Sequence, residues 1–175
     1  MNIFATNINP QEAAQDLCDK HVVKMPLETA QLLSTAVQAL YPKANDLYKP
    51  THVNHPCTRW VLESVKNFKW LYFYGVAICE EYSYRYGKMH KSFFIIQRAS
   101  HYIGVFPKTD NTKFVLAMPD KYKCDDPIIA YKNYIIHEKV KKFKFYYTKR
   151  NPPSWLISNT GLIRIPITPN KVMVC

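Results

Sequence analysis

His21, Lys24, Glu28 and Gln31 recur at spacings of three and four residues, which on an α-helix places them along one side. The residues between and after them, Val22, Val23, Met25, Leu27, Leu32 and Leu33, are apolar. That pattern predicts a helix over residues 18–31 and places it inside a fold. A surface helix spreads its charges over a broad face with apolar residues opposite, whereas this polar stripe is narrow and chemically mixed. An imidazole, an ammonium, a carboxylate and an amide in one row are candidate chemistry. The plainer reading is a solvated face carrying a Lys24–Glu28 pair, worth only about 0.2–0.5 kcal/mol.

The rest of the chain supplies the frame for that helix. Asn9 is a good N-cap, Pro10 suits a first helical turn and Glu12 sits at the capping-box position. A helix is expected to start there and run through Ala13, Ala14 and Leu17 into the central stretch. Pro26 lacks an N–H and crowds the Val22 carbonyl, so a kink or restart is expected. The pattern then continues to Leu40. Pro56 fits another first helical position, with Asn54 and His55 at the mouth, where free amides favour anions. A long aromatic helix follows, closed by Gly87. Further helices are expected over 90–102 and 126–140. Residues 152–175 alternate Ile163, Ile165 and Ile167 with Pro166 and Pro169, which reads as a wrapping tail or an edge strand. The expected fold class is mainly α: a single compact helical domain over residues 1–150, with an extended C-terminal tail, 151–175, packed on it.

Charge narrows the partner. The 175 residues carry a formal net charge of +11, which makes a polyanion, nucleic acid first, the natural ligand. Between residues 139 and 150, Lys142, Lys144, Lys149 and Arg150 are interleaved with Phe143, Phe145, Tyr146 and Tyr147. Cations neutralise phosphates and aromatic rings stack on exposed bases. An edge strand with Phe143, Phe145 and Tyr147 inward and lysines outward gives the same pattern. Only four glycines occur; a phosphate loop or dinucleotide fingerprint is absent, and no cofactor is expected. Five cysteines at irregular spacing, with no secretory signal before them, predict free thiols in a reducing, intracellular setting. No apolar run is long enough to span a bilayer.

Three constellations compete. An amine beside Glu28 would suit attack at a sugar C1′ with imine formation, the carboxylate stabilising the cationic transition state. Cys18, His21, His55 and Cys57 would supply tetrahedral zinc ligands. Cys57 with His55 or His21 would form a nucleophile–base pair, although nothing identifies an oxyanion partner.

Asp19-x-His21 followed by Glu28 resembles the phage pyrimidine-dimer DNA glycosylases of the endonuclease V type. A group of small phage-encoded proteins shares Asp19-Lys20-His21-Val22-Val23-Lys24-Met25 with Glu28. The same group shares Thr51-His52, Asn54-His55-Pro56-Cys57 and Trp60, and Glu81-Tyr82 with Tyr84-Arg85-Tyr86-Gly87. The resemblance implies a small basic α-helical enzyme acting on duplex DNA in the host cytoplasm. It would cleave the glycosidic bond at a pyrimidine dimer or modified base, then β-eliminate at the abasic site. It also implies an α-amine nucleophile exposed by removal of the initiating methionine, with Glu28 as the catalytic carboxylate. If the methionine is removed the amine is that of Asn2; but Asn2 is larger than the residues that usually permit that removal, which leaves the amine of Met1, that of a lysine such as Lys24, or an absence of lyase chemistry. His21, Lys24, His55 and Arg59 would line the site, and the segment from Lys142 to Arg150, with Tyr146 and Tyr147, would hold DNA. The alternatives are a non-enzymatic accessory protein that binds nucleic acid or a host partner, with structural zinc, and a nucleotide- or modified-base-processing enzyme.

Overall fold

The computed structural model describes residues 1–158, 164–168 and 170–174. Asn9 caps α1 (Pro10–Gln15), its side chain accepting from the Gln11 amide at 2.9 Å. Glu12 does not complete a capping box; it accepts from Asn7 Nδ2 instead. The helix also does not run on into the central stretch. Residues 16–18 interrupt it, and α2 (Asp19–Leu40) opens after an extended Cys18. Tertiary bonds compete with the helical ladder at the break. The Asp16 carbonyl accepts from the Tyr147 hydroxyl at 3.2 Å, and its carboxylate accepts from Trp155 Nε1 at 3.0 Å. Pro26 sits inside α2 without ending it. One missing bond is local, whereas Val22, Met25, Leu32, Leu33, Ala36 and Val37 bury a whole face of the helix.

The long aromatic helix is in fact two. Ser64 is extended (φ −157°) and separates α3 (Pro56–Glu63) from α4 (Val65–Tyr86). Its hydroxyl accepts from the Asn67 amide at 3.0 Å and so caps the second helix. Gly87 closes α4 in the left-handed conformation (φ 68°). α5 (Phe93–Ala99) passes into a 3₁₀ turn. α6 (Pro127–Tyr134), capped by Asp126, continues through a π turn (Ile135–Lys139).

The core lies between α2 and α4, with α1 and α5 against them. Gly75 on α4 permits their close approach: a Cβ there would come within 2.7 Å of Thr29 Cγ2. Beside the helices, β1 (Phe145–Thr148), β2 (Arg164–Thr168) and β3 (Lys171–Val174) form an antiparallel sheet in the order β1-β3-β2. Phe145 pairs with Val174 and Tyr147 with Val172. Both aromatic side chains are buried, so β1 is an edge strand with its rings turned inward. In the C-terminal stretch the described residues are extended in β2 and β3, with a short helix at Ser154–Ser158 before them, while Ile163 and Pro169 lie outside the described residues. Among the described residues, no helix is long and apolar enough to cross a membrane.

A buried ionic network docks β1. Asp19 accepts from Arg85 Nη1 at 3.0 Å, from the Thr148 amide at 2.9 Å and from Thr148 Oγ1 at 2.7 Å. Glu81 accepts from Arg85 Nε at 2.7 Å and from Arg150 Nη2 at 2.6 Å. Arg85 has no exposed side-chain surface, so its charge is tolerated only because both carboxylates meet it.

Candidate active site

The row predicted on α2 converges with the start of the chain. Glu28 is nearly buried, and its two carboxylate oxygens are divided between partners. Oε1 meets Lys24 Nζ at 3.1 Å. Oε2 accepts from the Asn2 backbone N–H at 3.1 Å and lies 4.0 Å from the Met1 α-amine. Met1, Asn2, His21, Lys24 and Glu28 line one cavity of about 320 Å³, together with Lys20, Tyr134, Lys139 and Phe143. A larger cavity of about 520 Å³ is walled by Trp60, Trp70 and Phe114 and contains none of the row. The candidate residues therefore line the smaller one.

Asn2 fixes the first turn of backbone. Its Nδ2 donates to the Ala117 carbonyl at 2.8 Å, and its Oδ1 accepts from the Ile3 amide at 2.7 Å and the Phe4 amide at 3.1 Å. These bonds hold Phe4 at φ 36°, which a residue with a large side chain adopts only under constraint. The Phe4 ring then stacks on His21, with centroids 4.5 Å apart. Phe143 and Phe145 meet the His21 ring edge-on. Enclosed in this way, His21 has its pKa pushed down to about 3, by burial first and then by Lys139, Lys24 and Lys20. It is a neutral wall of the cavity.

Two lysines reach the cavity across aromatic faces: Lys20 Nζ lies 4.3 Å from the Phe143 centroid and Lys139 Nζ 4.9 Å from that of Tyr134. Helical spacing does not single out Phe4, Tyr134, Ala117 or Lys139 as site residues, yet all four line the cavity. Lys139 had a signal in its basic segment; the others carry none at local spacing.

The expected DNA-contacting residues divide. Arg59 is exposed and donates to Asn54 Oδ1 at 3.2 Å. Lys144 is exposed, and Lys142 is exposed and paired with Glu138 at 2.7 Å. Tyr146 is half-buried beneath Lys171, and Lys149 donates to the Tyr84 carbonyl at 3.1 Å. Tyr147 is buried, so stacking on a base is closed to it; its ring belongs to the core. Arg150 is tied to Glu81. His55 is half-buried at the opening of α3, where its side chain accepts from the Cys57 amide.

The zinc alternative requires Cys18, His21, His55 and Cys57 to converge. Among the described residues, no three His, Cys, Asp or Glu side chains are grouped to hold a metal ion. Burial pushes the Cys18 thiol up to about 11 and the Cys57 thiol up to about 12, so both stay protonated near neutrality. The same protonation argues against a cysteine nucleophile.

A family model described as pyrimidine dimer DNA glycosylase matches residues 1–94. Neither the curated proteins nor the solved structures contain a match.

Proposed function

The chain belongs to the pyrimidine dimer DNA glycosylase family, and from that premise we propose that it cleaves the glycosidic bond by amine attack and then opens the abasic strand. Family membership implies glycosylase activity at pyrimidine dimers in DNA; the amine mechanism and the lyase step are our reading. The observation that carries it is the approach of the first two backbone nitrogens to Glu28 Oε2, at 4.0 and 3.1 Å, inside a cavity edged by lysines.

The α-amine at the start of the chain uses its lone pair to attack C1′ of the damaged nucleotide. The C1′–N bond breaks, and its electron pair leaves with the base. Glu28 supports the developing positive charge on the sugar and relays the proton that the amine gives up. The nitrogen lone pair then expels O4′, which takes up the proton relayed by Glu28 as the C1′–O4′ bond breaks and the sugar ring opens. The resulting protonated imine acidifies H2′, and loss of that proton breaks the C3′–O bond, whose electron pair leaves with the 3′ phosphate, and cleaves the strand. Lys24, at 3.1 Å from Glu28 and closer than the α-amine at 4.0 Å, is the competing amine. His21 shapes the wall of the cavity. Arg59, Lys142, Lys144, Tyr146 and Lys149 are proposed to hold the duplex while the damaged nucleotide leaves the stack.

Glu28→Gln keeps the shape of the side chain and removes its charge. The variant is expected to bind a dimer-containing duplex as the parent does and to lose about a hundredfold or more in single-turnover rate. Full turnover by the variant would remove Glu28 from the mechanism. Borohydride reduction of the imine, followed by peptide mapping of the adduct, names the amine: Met1, Asn2 after processing, or Lys24.

A further inference from the structure

The first half of α2 exposes Lys20, Val23, Lys24 and Leu27. Val23 is 48% exposed and Leu27 44%, and they stand one turn apart on the same side of the helix. Single exposed apolar residues are ordinary on a protein surface. This pair forms a ridge at the mouth of the candidate active site. Going round the helix at about 100° per residue, Val23 and Leu27 come first, then Lys20 and Lys24, then Glu28 and His21. Lys20, Lys24, Glu28 and His21 line the cavity, so the apolar ridge is its outer rim.

Further cations lie across the ridge. Lys88, Met89, His90 and Lys91 follow Gly87 at the end of α4, and this segment is pinned to α2. His90 Nδ1 accepts from the Ser92 backbone N–H at 3.1 Å, which puts the proton of the neutral ring on Nε2, and Nε2 donates to the Val23 carbonyl at 3.2 Å. Tyr82 meets the same ring edge-on, with centroids 4.9 Å apart. The segment thus lies on the Val23 side of the ridge, away from the cavity, and Lys88, Met89 and Lys91 are exposed on it. Lys20 and Lys24 border the ridge on one side and the segment bearing Lys88 and Lys91 on the other.

A duplex matches that arrangement. Phosphates meet the lysines on either side, and the apolar middle faces the bases. We propose that Leu27, backed by Val23, is a wedge that enters the base stack at the damage and fills the gap left as a nucleotide moves into the cavity. This role rests on the glycosylase reading above and deepens it, by naming what opens the stack.

Leu27→Ala removes the wedge and leaves every charge in place, and Leu27→Met restores an apolar side chain of similar volume. With 2-aminopurine placed in turn beside and opposite the dimer, binding of the wild type should raise the fluorescence at one position or more. At saturating protein Leu27→Ala should lose that rise and Leu27→Met should keep it; a wild-type rise in Leu27→Ala overturns the wedge. Single-turnover cleavage by Leu27→Ala should fall about tenfold or more on a fully paired duplex, and by less than about threefold where mismatches already unpair the damaged step. Equal losses on the two duplexes would be a structural effect and overturn the wedge. Sedimentation checks the other occupant: a dimer of the protein that Leu27→Ala converts to monomer makes the ridge a contact between copies and overturns the wedge. The fluorescence needs binding and no chemistry. A wild type that gives the rise without cleaving removes the amine mechanism and keeps the wedge. No rise at any position overturns the wedge, and if that protein still cleaves the dimer the glycosylase reading stands.

Discussion

Burial sets what His21 can do. Stacked on Phe4 and edged by Phe143 and Phe145, it takes up a proton only near pH 3, whereas in an unfolded chain it titrates near 6.5. Between those values the unfolded state binds a proton that the native state does not, so stability falls as the pH drops through this window. His21→Phe keeps the ring and removes the titration. Denaturant midpoints should therefore show the variant gaining on the parent from pH 6.5 down toward 3, with no such trend above pH 7. The variant should also leave the shape of the neutral pH–rate profile unchanged; loss of an acid or base limb there would make His21 a proton-transfer group after all. At this scale Glu28, Lys24 and His21 were legible because spacings of three and four on a helix are local geometry. The locking role of Asn2 was not, since its partner Ala117 lies 115 residues away.

The elements are held by charge as well as by apolar packing. Asp19 opens α2, Glu81 and Arg85 are one turn apart on α4, and Thr148 and Arg150 lie in and just after β1. This network sets where β1 lies, and with it Phe143 and Phe145 against His21. Removing one partner strands the others' charges in the interior. Arg85→Met should cost about 3–5 kcal/mol in urea unfolding, well above a surface ion pair; a loss below about 1 kcal/mol would mean that water already reaches the network. The helical periods in the sequence located α2, α3, α4 and α6, but not the breaks at residues 16–18 and at Ser64. Both breaks are stabilised by bonds that helical periodicity does not register: Asp16 to Tyr147 and Trp155 from far along the chain, and Ser64 capping the helix that follows it.

Across the whole molecule, the cavity joins two distant stretches. Residues 1–28 supply the amines, the carboxylate and His21, all within the family match, while Ala117, Tyr134, Lys139 and Phe143 close it from outside that match. The surface around it is basic in a chain of net charge +11. Affinity for an undamaged duplex should therefore fall steeply with salt, and Lys144→Ala should reduce the slope of log K against log salt by about one. An unchanged slope would take Lys144 off the DNA path. The central claim is that an amine beside Glu28 attacks the sugar of a damaged nucleotide. Its most direct test is a labelled duplex with one defined pyrimidine dimer, beside an undamaged control, incubated with the protein and borohydride. The account predicts dimer-dependent strand cleavage and a covalent adduct that maps to the start of the chain and disappears in Glu28→Gln. Cleavage with no trapped adduct would contradict it and point to direct attack by water, and binding without cleavage would remove the proposed chemistry altogether.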